Sequence, residues 1–186
     1  SLASLTPPNG QFPVHPAWSP DGQKIAFGVR TDGNWLDFTT SSLWVADVDT
    51  QTPGFSNYLE ISPVDATLPT STFPTFSPDS NWVAYNKADM ARTRDAITEL
   101  WMVHADGTNN LELAIANGDN YVTAAEAQMN YEPTFLPVAV GGYYWLVFGS
   151  ERSYGNTLAE NTKQLWVAAI DANADVAGIE ISSGYT

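Results

Sequence analysis

His15-Pro16-Ala17-Trp18-Ser19-Pro20-Asp21-Gly22, running on into Lys24-Ile25-Ala26-Phe27-Gly28, is the stretch on which the reading of this chain turns. Pro20 fixes φ, Asp21 can accept a hydrogen bond from the backbone two residues on, and Gly22 tolerates positive φ, so the middle of the stretch is a turn. The apolar and aromatic runs on either side are short and read as strands rather than helices. The same pattern returns in Phe73-Pro74-Thr75-Phe76-Ser77-Pro78-Asp79-Ser80, followed by Trp82-Val83-Ala84-Tyr85-Asn86. It returns again in Glu132-Pro133-Thr134-Phe135-Leu136-Pro137, followed by Tyr144-Trp145-Leu146-Val147-Phe148-Gly149. Trp18, Phe76 and Phe135 stand 58 and 59 residues apart. A Leu-Trp pair follows each block, at Leu43-Trp44, Leu100-Trp101 and Leu165-Trp166, with spacings of 57 and 65. Two independent markers thus define three repeats that fill nearly all of the 186 residues.

Each repeat reads as four short strands. In the first they are expected at about 15–19, 24–30, 42–48 and 56–62, with turns such as Asp47-Val48-Asp49-Thr50 between the third and fourth. The Ala-rich segment 122–129 is the best helical candidate and falls in a connection. Four antiparallel strands per unit, with aromatics at fixed places, is the sequence form of a β-propeller blade. The expected fold is therefore all-β, with three four-stranded antiparallel blades at about 13–62, 73–117 and 131–182.

The Pro-[Ala/Thr]-[Trp/Phe]-Ser-Pro-Asp-[Gly/Ser] block, the apolar second strand and the Leu-Trp third strand resemble the repeats of TolB-like β-propellers. The third repeat departs from them, with Leu136-Pro137-Val138-Ala139-Val140-Gly141-Gly142 in place of the tight turn. The resemblance implies a bacterial, periplasmic or secreted protein, a ring of six blades, and binding of proteins or peptides. Some such propellers stand beside a hydrolase domain. Three blades are half of such a ring, and open flanks would leave strand edges and apolar surface to be covered. A second half-propeller is expected as partner, supplied by a second copy, by another chain or by the rest of a longer precursor. Beginning at Ser1 with neither Met nor a signal-like segment, the sequence reads as mature or trimmed.

Composition narrows the partners. Seven Lys plus Arg stand against 21 Asp plus Glu, a formal charge of −14, which argues against a groove that tracks nucleic-acid phosphates. The absence of cysteine excludes disulfides and thiolate metal sites. No run approaches the ~20 apolar residues of a membrane span.

In a propeller the connections between second and third strands lie on one face, together with those that link successive blades. Six of the seven basic residues, Arg30, Lys87, Arg92, Arg94, Arg152 and Lys163, fall in or beside these loops, and only Lys24 does not. The same loops carry Asp32, Asp37, Asp89, Asp95, Glu99, Glu151 and Glu160. Two readings stand open: a salt-bridged solvated rim, or a mixed-charge recognition surface. On the second, the binding residues are Arg30, Asp32, Lys87, Arg92, Arg94, Glu151 and Arg152. The residue before the strand-A proline is His15, Phe73 and Glu132 in turn, and these side chains should crowd the mouth of the central channel. His15 and Glu132 are of the ligand types used for zinc or calcium, or could act as acid and base, or form a hydrogen-bonded lining. No cofactor is required by the sequence, and a divalent metal is the one candidate.

Other chemistry finds little footing. Asp171-Ala172-Asn173-Ala174-Asp175 imitates a calcium loop but aligns with the turns at Asp49 and Asp106. Trp44, Trp101 and Trp166 share one repeat position and read as core between blades. There is no Gly-x-Ser-x-Gly elbow, no phosphate loop and no His-Glu-x-x-His. His15 and His104 map to opposite faces, so a Ser–His–Asp triad is not expected. Glu132 and Glu151 are the one conceivable carboxylate pair for glycoside chemistry. The expected function is a non-catalytic scaffold that binds protein or peptide through the loop face. The alternatives are a metal-binding or hydrolytic propeller with its site at the channel mouth, and a purely structural half-ring.

Overall fold

The Ser-Pro-Asp block works through its serine. The Ser19 hydroxyl accepts the Lys24 N–H at 2.8 Å and donates to Asp21 at 2.6 Å, while the Gly22 N–H reaches the Ser19 carbonyl at 2.9 Å. Ser77 repeats this, accepting the Trp82 N–H at 3.0 Å and donating to Asp79. Gly22 and Ser80, at the same place in the two turns, share a left-handed backbone with φ of 72° and 66°. Each turn therefore fixes an innermost strand to its neighbour.

The computed structural model describes residues 4–8, 10–92, 95–153 and 162–173, and the backbone of 180–183. Its first unit comprises β1 (Phe12–Trp18), β2 (Lys24–Arg30), β3 (Ser41–Asp49) and β4 (Gly54–Ser62). The second comprises β5 (Thr70–Phe76), β6 (Trp82–Ala88), β7 (Thr98–His104) and the two-residue β8 (Leu111–Glu112). The third comprises β9 (Asn130–Phe135), β10 (Tyr143–Ser150), β11 (Gln164–Asp171) and β12 (Glu180–Ser183). Within every unit consecutive strands pair antiparallel, which makes three four-stranded propeller blades. The fold is all-β, and the stack of blades is not closed into a ring.

Two short helices lie in the connection between blades two and three. The candidate at 122–129 holds α2 (Ala124–Ala127), started by a Thr123–Glu126 capping box. The other, α1 (Ala114–Asn117), has no periodicity that marks it in the sequence. Asp49, Asp106 and Asp171 each accept a backbone N–H two residues on, so the calcium-like stretch at Asp171 is a turn like its two counterparts. Ala174 and Asp175 of that stretch lie outside the described residues.

Blades are joined by a repeated backbone junction. Ser41 donates its hydroxyl to the Ser71 carbonyl at 2.7 Å, and its N–H to Pro69 at 3.0 Å. One blade on, Thr98 donates its hydroxyl to the Asn130 carbonyl and its N–H to Gln128 at 2.9 Å. Above and below these junctions lie apolar layers. One packs Leu43, Val45 and Ile61 against Phe76, Tyr85 and Val103. Another packs Leu100, Met102 and Leu113 against Phe135, Leu146, Phe148 and Trp166. Two of the three Leu-Trp tryptophans are core between blades as expected, Trp166 within the second of these layers and Trp101 against the first; Trp44 is not, because no blade precedes its own, and it lies instead against the outer face of blade one.

The end faces differ from the inner ones at equivalent positions. Leu43 and Leu100 are fully buried, whereas Leu165 is 71% exposed; Phe76 and Phe135 are about 5–6% exposed, whereas Trp18 is 57% exposed. Leu100→Ala should therefore cost about 2–5 kcal/mol, and Leu165→Ala at most about 0.5 kcal/mol in the isolated chain. Urea unfolding of the two variants checks this, and equal losses would contradict the layer assignment.

Candidate functional site

The residues before the strand-A prolines share an uncommon backbone. His15, Phe73 and Glu132 have φ of 47°, 51° and 52°, and strands β1, β5 and β9 all shift register at this point. A left-handed conformation costs an L-residue about 1–2 kcal/mol, and a following proline favours extended backbone instead. The surroundings hold it in place: the Glu132 N–H donates to the Asn86 side chain at 2.7 Å, and Asn86 also donates to the Asn130 carbonyl at 2.9 Å. The bulges bring all three residues to the wall of one cavity. His15 stacks on Phe73 with ring centroids 4.3 Å apart and planes 12° apart. His15 Nδ1 pairs with the Thr72 hydroxyl at 2.5 Å.

Arg92 is a fourth strained residue, with φ of 56° in the β6–β7 loop. That loop is tied to blade one by the Ala91 N–H, which donates to the Phe38 carbonyl at 2.9 Å. Among the described residues seven non-glycine positions have positive φ; the other three are Asn57, Ser80 and Asn109, small polar types that tolerate it better. The four that tolerate it less meet in one place. His15, Phe73, Arg92 and Glu132 line a cavity of about 370 Å³. Phe73, Arg92 and Glu132 also line an adjoining cavity of about 450 Å³, together with Met90, Tyr131, Glu151 and Lys163. Strain gathered at one depression is a mark of functional sites.

The sequence-derived loop residues divide by role. Arg92 and Glu151 line the larger cavity. Arg30 instead braces its own loop, donating to the Asp32 and Gly33 carbonyls at 2.8 and 2.6 Å, while the Asp32 carboxylate receives the Thr39 and Thr40 N–H groups. Lys87 is buried, with its ammonium 3.9 Å from the Trp101 ring centroid and 3.4 Å from Asp65. Arg152 is also buried, its guanidinium 4.1 Å from the centroid of Trp166. These four side chains are engaged with the scaffold around them, and loop position in the sequence does not show which way a long side chain turns. Arg94 and Glu160 lie outside the described residues. Phe73, His15 and Glu132 line the smaller cavity together.

Three contributors escape a sequence reading. Tyr131 and Thr98 look like ordinary strand residues, and Met90 like loop filler, yet all three line the larger cavity. Asn86 carries a weak signal: it occupies the place of Gly28 in blade one, where an added Cβ would stand 3.1 Å from the Ser71 carbonyl. A polar side chain at so close a junction needs partners, and Asn86 has them on both sides.

Electrostatics sharpen the picture. Burial, and then the Arg92 charge, lower the His15 pKa to about 4, so its ring is neutral at pH 7. Burial first, then Glu151, Asp95 and Asp89, raise the Tyr131 phenol to about 12, which marks a negative field around it. Among the described residues no group of three or more His, Asp or Glu side chains is placed to hold a metal ion, so His15 and Glu132 have no third ligand there.

The His15 shift sets a pH dependence. An unfolded histidine takes its proton near 6.5 and the folded one near 4, so protons bind the unfolded chain first and stability declines as the pH falls from about 6.5 toward 4. His15→Gln should lose less stability between pH 7 and pH 4.5 than the parent chain, as measured by urea unfolding at the two values. Identical losses would show that His15 does not titrate in this window.

No protein-family model matches this chain, and no curated protein matches it in sequence. Solved structures resemble it at low similarity. TolB from Acinetobacter baumannii is 16% identical over 84% of this chain and 29% of its own, with a TM-score of 0.43. Puromycin hydrolase is 14% identical over 94% of this chain and 22% of its own, with a TM-score of 0.45. An exo-1,5-α-L-arabinanase from a bovine ruminal metagenomic library is 9% identical over 91% and 56%, with a TM-score of 0.47. The chain spans less than two thirds of each of these proteins, and the propeller architecture rests on its own strand pairing.

Proposed function

We propose that this chain is a non-catalytic binding scaffold, a portion of a TolB-like propeller working outside the cytoplasm, in the periplasm or secreted. Its ligand is a protein or peptide segment taken up at the loop face, in the depression around Phe73, Arg92 and Glu132. One observation carries the reading. Arg92, Lys163, Glu132 and Glu151 line a single cavity, and among the described residues none of the four forms an ion pair. A solvated rim would pair such charges with each other; a recognition surface leaves them for a partner. The cavity's Met90, Phe73 and Tyr131 add the apolar wall that ligand sites combine with a few polar groups. Selection from a random-peptide library, followed by Arg92→Glu, tests this. Affinity for the selected peptides should change at least fivefold, and no change in any of them would refute the loop-face site.

The exposure of Leu165 and Trp18, where equivalent residues are buried, favours a second and compatible role. These faces accept a further half-propeller, from a second copy or from another chain. In native mass spectrometry the isolated chain should appear above its 20.2 kDa monomer mass, and Leu165→Arg should shift it back. A parent chain that stays monomeric at micromolar concentration overturns the role for a second copy.

A further inference from the structure

The larger cavity is lined by two carboxylates and two basic groups, and one of its cations is already seated on an aromatic ring. The Lys163 ammonium lies 4.1 Å from the Tyr131 ring centroid, a cation–π distance. Tyr131 is buried and forms part of the cavity wall, and Lys163 makes no ion pair among the described residues. Glu132 and Glu151 line the same space, and Asp89 and Asp95 act on Tyr131 electrostatically. Lys163 stands two residues before Leu165, where Ser41 and Thr98 stand before Leu43 and Leu100. Those two hydroxyls clasp the next blade. The lysine instead reaches back across its own blade and lays its charge on the ring.

Resting on the binding reading above, we infer that this cavity selects a lysine side chain of its peptide ligand, whose ammonium takes the place of that of Lys163 on Tyr131, beside Glu132 and Glu151. An aromatic face in a carboxylate field holds a cation by the ring quadrupole and by Coulomb attraction together, and the neutral Met90 and Ala88 would contact the aliphatic stem. The chain's −14 charge draws basic segments toward it and disfavours acidic ones. Arg92, shared by both cavities, stands where the ligand's backbone carbonyls or a carboxylate would pass. Lys163 is then an internal competitor, displaced when ligand binds, and the sign of its contribution is the decisive feature. A lysine that served as an anion receptor would strengthen binding; a lysine that occupies the site weakens it.

The test uses the whole chain and three blocked tripeptides, Gly-Lys-Gly, Gly-norleucine-Gly and Gly-Glu-Gly, titrated while the Met90 methyl signal is followed by NMR. Gly-Lys-Gly should shift Met90 at concentrations at least fivefold lower than the other two. Lys163→Met should tighten its binding about threefold or more, and Glu132→Gln with Glu151→Gln should weaken it about tenfold, whereas Glu60→Gln on β4, outside the cavity, should leave it unchanged. A preference for Gly-Glu-Gly, weaker binding by Lys163→Met, or an equal response to the lysine and norleucine peptides overturns the cationic preference while leaving peptide binding in place. Silence of Met90 toward all three, with library-selected peptides still sensitive to Arg92→Glu, overturns the cavity as the cation site but not the loop face. Silence together with insensitivity to Arg92→Glu removes both readings.

Discussion

The structure depends on the clasp between the start of one blade's third strand and the innermost strand of the next. Ser41 with Ser71, and Thr98 with Asn130, bring a hydroxyl and a carbonyl together in a layer where neither could be left without a partner. A parallel bridge between Ser41 and Thr70 links the first two blades into one eight-stranded sheet. Once this contact is made, the leucine two residues on is carried into the apolar layer between blades, and the Phe76 or Phe135 of the next blade closes over it. The angle between blades, and with it the distance between loops of different blades, follows from a short polar contact rather than from the apolar packing alone. Apolar layers tolerate small slips; a buried hydroxyl–carbonyl pair does so less readily.

That fixed geometry makes the candidate site possible. Its parts come from separate blades: His15 from the first, Phe73 and Arg92 from the second, Glu132 and Lys163 from the third. None of these residues is near the others in sequence. Asn86 connects the two levels, since one side chain both joins blade two to the Asn130 carbonyl and holds the Glu132 N–H in its bulge. Loosening the junction would therefore also release the left-handed backbone that points Glu132 into the cavity.

Much of the architecture was legible because the repeat is local and turns have chemistry of their own. Ser19, Pro20 and Asp21 announce a turn, and Ser77, Pro78 and Asp79 announce it again, so period and strand order could be read directly. The second strand expected at 24–30 was found there for the same reason, and the helix within 122–129 because its alanine-rich composition marks it apart from the strands. The site was legible only in outline. Position in the repeat brought His15, Phe73 and Glu132 together, but it grouped Arg152 and Lys87 with Arg92. Those two turn inward onto tryptophans, and the stem of a long side chain lets its charge lie several ångströms from where its Cα suggests. Tyr131 was silent because an alternating strand residue carries no mark of the cavity it borders.

The proline that follows each bulge has a further implication. Because backbone and register shift are the same at 15, 73 and 132, the side chain there is free of any duty in the strand ladder. An imidazole, a phenyl ring and a carboxylate already share one mounting. The three positions thus work as a set of interchangeable bits on a fixed handle: their chemistry can be rewritten one residue per blade, and selection for a new ligand need not renegotiate the scaffold that presents it.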